Sequence, residues 1–201
     1  MGFENALVAL IEDPESCREF AEAMTDFKIA IFDRLMEIYP YELIIYQDDV
    51  GCENGPIMSL DAYKEIFKAP LKRLIDHVHS KGIYFGYHSC GKMEAFMDDW
   101  LELGIDYVNP VQTCNDQLEF ARKYGDKLVI EGGINNQDIT DVFEPNEEAL
   151  RQEIRRAVDV FGPYGRYVLR VVDVSMATNG VDVQGILYDE FDKYTKGYYE
   201  K

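Results

Sequence analysis

Apolar residues early in the chain recur at steps of three and four: Phe20, Met24, Phe27, Ile31, Leu35 and Ile38. That spacing predicts one long amphipathic helix over residues 14–39, with this stripe as its core face and Pro40 as its stop. The period then changes. Leu43-Ile44-Ile45-Tyr46 is a continuous apolar run and reads as a buried strand, followed by a Gly/Pro loop over 51–59. Ser59 caps a helical stretch that Pro70 divides in two, and Gly82 ends the second part. From there strand and helix alternate. Strands are predicted over 83–87, 106–109, 128–131 and 167–172, with helices over 92–103, 115–124, from Asn146 to Gly162, and over 183–194.

Five apolar strands, each followed by a helix, point to an α/β fold: a parallel sheet covered by helices, with no internal repeat and no linker over 1–201. The strand ends carry Asp48 and Asp49, His88 and Cys90, Asn109 and Gln112, Glu131, and Asp173. Polar groups gathered at one edge of an apolar sheet are expected to form the rim of a small-molecule site.

Charge narrows the class of partner. With 38 acidic against 20 basic residues the formal net charge is −18, and no basic stripe exists for nucleic acid to meet. No apolar run approaches the length of a membrane span, and the sequence from Met1 has no signal-peptide pattern. The four cysteines, Cys17, Cys52, Cys90 and Cys114, are too few for a disulfide framework and suit thiol or metal roles in a reducing cytoplasm.

The densest chemistry lies in His88-Ser89-Cys90-Gly91, where a strand stops and a helix is expected to begin. Residues two apart on a strand end point to the same side, so an imidazole and a thiolate would meet there. Nitrogen and sulfur donors suit zinc, and a nearby helix N-terminus favours thiolate. The competing reading is a buried cysteine and a hydrogen-bonded histidine in an inert core. Of Asp48 and Asp49, adjacent on a strand, one alone can face the same mouth. His77 and His79, two apart on a helix, cannot share a ligand. Gly132-Gly133 reads as a turn, and Met93, Phe96, Met97 and Trp100 as the core face of their helix.

The order of motifs resembles the C-terminal part of the uroporphyrinogen decarboxylase superfamily. The residues that carry the likeness are Gly2-Phe3-Glu4-Asn5, Asp13-Pro14-Glu15, Tyr46 to Gly51, Pro70, His79 with Gly82, His88 to Gly91, Leu103 to Asp106, Asn109 to Gln112, Gly125-Asp126 and Glu131 to Ile134. His88-Ser89-Cys90-Gly91 is similar to the corrinoid-dependent methyltransferase branch. There the resemblance implies a zinc held by His88, Cys90 and a later cysteine, serving transfer of a methyl group between a corrinoid and a thiol or other acceptor. No cysteine stands in Val171 to Met176, where the late one is expected, so Cys114, Glu131 or Cys52 is the substitute ligand. Asp49 and Gln112 are assigned catalytic roles, and Asp48 and Asn109 cofactor-binding ones. A corrinoid would arrive on a partner protein.

The resemblance also implies an eight-stranded barrel of the TIM type, which five strands cannot close. The chain is therefore expected to be an incomplete barrel lacking its N-terminal part, with Ile45, Phe85 and Val108 facing an unfilled interior. A second copy or a complementary N-terminal chain would cover it. Porphyrinogen decarboxylation, as in porphyrin biosynthesis, and a non-catalytic half-barrel that binds a ligand or partner are the rival functions. The first needs arginines for its substrate's carboxylates, and Arg170 alone falls within a predicted strand.

Overall fold

The structure is a computed structural model and describes residues 1–170 and 180–198. Its main sheet has five parallel strands, β1 (Leu43–Gln47), β4 (Tyr84–His88), β5 (Tyr107–Val111), β6 (Val129–Gly132) and β7 (Tyr167–Val168), in that order and not closed. The Gly/Pro loop expected over 51–59 forms a small antiparallel hairpin, β2 (Gly51–Cys52) with β3 (Gly55–Pro56). The α/β fold and the incomplete barrel agree with the sequence. Two compact units divide the chain, Met1–Tyr107 and Val108–Lys201.

In the first unit α1 (Phe3–Glu12) precedes α2 (Pro14–Met36), α3 (Leu60–Ile66), α4 (Lys68–Ser80) and α5 (Met97–Leu103). The periodicity had not revealed α1. Asp13 caps α2 by accepting the Ser16 N–H at 3.2 Å, with Pro14 beside it where no N–H is needed. Ser59 caps α3 through the Ala62 N–H at 3.1 Å. Pro70 falls in the first turn of α4, where its missing N–H again removes no intrahelical bond. His77 and His79 pair with separate carboxylates, Asp33 and Asp106, at 2.8 and 2.9 Å. The stripe Met93, Phe96, Met97 and Trp100 is fully buried as expected.

Two expectations fail here. The apolar stripe of α2 is not its core face: Ala21, Thr25 and Phe32 are buried, whereas Phe20, Phe27, Ile31, Leu35 and Ile38 stay exposed. The helices α3 and α4 pack against the face of Ala21, Thr25 and Phe32 instead, where the Phe32 ring meets the His77 ring edge-on. Phe85 does not face an unfilled interior either, being fully buried like Val108 in the second unit. Strand alternation puts Phe85 on the side of Tyr87 and Trp100, and leaves Leu43, Ile45 and Tyr84 on the uncovered face.

In the second unit α6 (Gln117–Tyr124), α7 (Glu147–Phe161) and α8 (Val183–Thr195) follow β5, β6 and β7. Asp116, Asn146 and Asp182 cap them by accepting backbone N–H groups. Ile134, Leu150, Ile154, Ala157, Val158, Val183 and Leu187 form one apolar core. Gly132 and Gly133 have φ of +110° and +83°, and a Cβ on Gly133 would lie 2.4 Å from the Phe161 ring. Glycine is required at that turn for backbone reasons. Arg156 braces it, donating to the Gly133 carbonyl and, at 2.9 Å, to Gln117 Oε1. Residues 171–172 of the last predicted strand, Asp173, and the stretch expected to hold a late cysteine fall outside the described residues.

Candidate metal centre

The chain reverses twice around the ends of β1 and β4, and glycine makes both reversals fit. A Cβ on Gly91, whose φ is +75°, would sit 2.6 Å from the Cys52 Cα, and one on Gly51 would sit 2.4 Å from the Lys92 carbonyl oxygen. Two backbones therefore touch directly, with the Lys92 N–H donating to the Cys52 carbonyl at 3.0 Å. Ser89 ties the same turns together. Its hydroxyl accepts the Val50 N–H at 3.1 Å and donates to the Cys90 carbonyl at 3.0 Å.

This clamp brings Asp49 against the His-Ser-Cys turn. Asp49 Oδ1 accepts the Cys90 N–H at 2.7 Å and lies 3.8 Å from His88 Nε2, which is 3.7 Å from Cys90 Sγ. One oxygen, one nitrogen and one sulfur donor thus lie within 4.8 Å of one another. Among the described residues no fourth His, Cys, Asp or Glu joins them at that spacing. Asp49 is exposed, and His88 and Cys90 are half-buried, so the group opens to solvent.

Alternation separates the two aspartates, as the strand pattern requires. Asp48 turns to the helix-covered side, where its Oδ2 accepts the Tyr46 hydroxyl at 3.0 Å and burial raises its pKa. The remaining candidates lie in the second unit. Asn109 is buried on β5, and the Gln112 carbonyl accepts the Asn115 N–H at 3.1 Å. Cys114 Sγ lies 3.7 Å from Asn115 Nδ2. Glu131 is buried and takes Arg170 Nη1 at 2.9 Å. None of these belongs to the donor group. Cys52, the third substitute weighed, stands in the clamp by its backbone and is exposed. The sequence reading gave Asp49 a catalytic role and weighed it as a metal-binding group only as a pair with Asp48, not beside His88 and Cys90. Its placement depends on the contact of two glycine turns that are 40 residues apart in sequence (Gly51 and Gly91).

A family profile described as uroporphyrinogen decarboxylase (URO-D) matches residues 1–171. Among solved structures, a methyltransferase from Methanosarcina mazei is similar at a TM-score of 0.71 and 14% identity, over 95% of this chain and 53% of that one. The chain thus spans about half the length of that protein. A sugar phosphate isomerase/epimerase from Parabacteroides distasonis is more distant, with a TM-score of 0.40 and 11% identity over 90% of this chain and 64% of the other. No curated protein matches significantly.

Proposed function

The chain belongs to the uroporphyrinogen decarboxylase family, and on that premise we propose that it acts in methyl transfer, with Asp49, His88 and Cys90 as a zinc site. The convergence of those three donors carries the reading. Two ligands bound at about 2.0–2.3 Å to a tetrahedral zinc lie about 3.5 Å apart, close to the 3.7 and 3.8 Å separations around His88 Nε2. The donor chemistry fits as well, since zinc takes thiolate, imidazole and carboxylate together, and three protein ligands are the mark of a catalytic rather than a structural site. When bound, such an ion acts as a Lewis acid that lowers the pKa of a coordinated thiol or water.

The chain's own residues supply position. The Cys90 N–H fixes the Asp49 carboxylate, Ser89 locks the turn that carries both, and β1 pairs with β4 at Gln47 and His88 to hold the imidazole. The solvent-open side of Asp49 leaves room for an acceptor thiol and for a methyl-corrinoid carried by a partner protein, written here as substrates. Cytoplasmic residence, which free thiols favour, belongs to the same proposal. The Methanosarcina methyltransferase supports methyl transfer over porphyrinogen decarboxylation, and Arg170, an arginine that decarboxylation could use, is engaged by Glu131.

Zinc analysis of protein purified without chelators tests this directly. One zinc per chain is expected, with Cys90→Ser and Asp49→Ala each losing most of it, alongside methyl transfer from methylcobalamin to a thiol. Well below one zinc per chain, with Cys90→Ser as stable as the parent, overturns it.

A further inference from the structure

Beyond the paired ends of β1 and β4 the two chain segments stay side by side. The Asp48 N–H donates to the His88 carbonyl at 3.1 Å, the Val50 N–H to the Ser89 hydroxyl at 3.1 Å, and the Lys92 N–H to the Cys52 carbonyl at 3.0 Å. Two of the four cysteines, Cys52 and Cys90, fall in this short run. Gly91 brings their backbones together, since a Cβ there would sit 2.6 Å from the Cys52 Cα. From Gly91 one Cα step of about 3.8 Å leads to Cys90, so the two cysteine Cα atoms are at most about 8 Å apart. A disulfide spans about 4.4–6.8 Å between Cα atoms, so a closing movement on the order of 1 Å suffices. The segment that carries Cys52 is a hairpin of two-residue strands, exposed over Cys52, Glu53 and Asn54. Accessibility separates the thiols as well: Cys52 is exposed, whereas Cys17, Cys90 and Cys114 are half-buried.

We propose that Cys52 is a modification site for small-molecule disulfides, and that Cys90 resolves the adduct into an internal Cys52–Cys90 disulfide that disables the metal centre. The chemistry is thiol–disulfide exchange. The exposed Cys52 sulfur attacks one sulfur of the reagent, whose S–S bond breaks and whose other half leaves as a thiol. The Cys90 sulfur then attacks Cys52 Sγ, forming the protein disulfide and expelling the second half as a thiol. Two protein thiols are oxidised, one small disulfide is reduced to two thiols, and the two protons pass to the leaving sulfurs. Cys52 stands outside the donor group of Asp49, His88 and Cys90. A Cys90 sulfur bonded to it is no longer a thiolate, and thiolate is the form that binds metal. The cross-link therefore removes one of three donors, and ion and cross-link exclude each other. Loss of the ion rests on the zinc site proposed above, whereas the cross-link does not.

Peptide mapping by mass spectrometry after treatment of the full chain with 2-hydroxyethyl disulfide tests the cross-link with no metal added. The reagent is neutral, which keeps the net charge of −18 out of the rate. In the parent a linked Cys52–Cys90 peptide is expected, two hydrogens lighter than the free pair, on a chain that runs as a single copy on a non-reducing gel. Cys90→Ser should stop at the reagent adduct on Cys52, and dithiothreitol should reverse both products. Zinc release into a chromophoric chelator then reads the consequence, and under the same reagent it should be at least about tenfold slower from Cys52→Ser than from the parent. A parent in which Cys52 stays unmodified, ends as a lasting adduct or pairs with a second copy overturns the proposal. Zinc release from Cys52→Ser as fast as from the parent overturns the relay. A parent that forms the cross-link but holds no zinc upholds the modification site and overturns the zinc site instead.

Discussion

At the scale of single residues, the donor group of Asp49, His88 and Cys90 rests on two glycines that touch nothing catalytic themselves. Gly91 has φ +75° and a Cβ there would meet the Cys52 backbone at 2.6 Å. Backbone cannot yield as the tip of a flexible side chain can, so Gly91→Ala should separate the two turns. Strain at a left-handed position plus the overlap should cost about 1–3 kcal/mol. The larger effect is expected on the metal, because Asp49 reaches Cys90 only while the turns remain in contact. A thermal melt and a competitive zinc titration would check this together: a small drop in Tm with a zinc affinity at least tenfold weaker. A Gly91→Ala protein with parental zinc affinity would mean that the clamp does not position Asp49.

At the scale of elements, α8 is held to α7 by charge as well as by Leu150, Ile154, Val183 and Leu187. Arg155 Nε meets Glu190 Oε1 at 2.6 Å and Arg151 Nη1 meets Glu190 Oε2 at 3.1 Å. These hydrogen bonds, Arg155 first, hold the Glu190 carboxyl below its ordinary value of 4.5. A depressed folded pKa stabilises above the unfolded value and loses that contribution as pH falls through the folded one. The protection of α8 amides against hydrogen exchange, corrected for the intrinsic rate at each pH, should therefore fall as the pH drops below about 4.5, the ordinary glutamate range. Glu190→Gln should weaken α8 at neutral pH and flatten that acid response. An unchanged profile would place its docking on the apolar contacts alone. The helix itself was legible: residues 183–194 were expected and Val183–Thr195 is found. Caps such as Ser59 and Asn146, and the Gly104 stop, encode boundaries locally, and continuous apolar strands encode the parallel sheet. The face α2 buries was not legible, because choosing between adjacent stripes depends on α3 and α4, not on the period of α2. The His88–Cys90 pair could be read from alternation within one strand end. Which aspartate stands beside the pair could not, since no local pattern announces that two distant turns touch.

At the scale of the whole molecule, surplus apolar surface competes with surplus charge. Phe20, Phe27, Ile31 and Leu35 are exposed along α2, Ile38 just beyond its end, and Leu43, Ile45 and Tyr84 on the uncovered strand face. Fully burying such a side chain contributes about 1.5–3 kcal/mol, so covering even a few is comparable with the net stability of a domain, about 5–15 kcal/mol. A formal charge of −18 opposes this by repulsion between copies. Repulsion is screened by salt, its range falling from about 10 Å at 0.1 M to about 3 Å at 1 M, whereas apolar burial is not. We therefore expect self-association that strengthens with salt: light scattering at micromolar concentration should show a growing dimer fraction from low to high ionic strength. Phe27→Glu with Ile31→Glu should abolish it if α2 is the contact, and Tyr84→Glu if the strand face is. A complementary chain that covers the same surface would compete with the dimer, and methyl transfer should rise on its addition if it also completes the site. A protein that stays monomeric at every salt concentration and is fully active alone would show that these side chains are tolerated in water and that neither partner is needed.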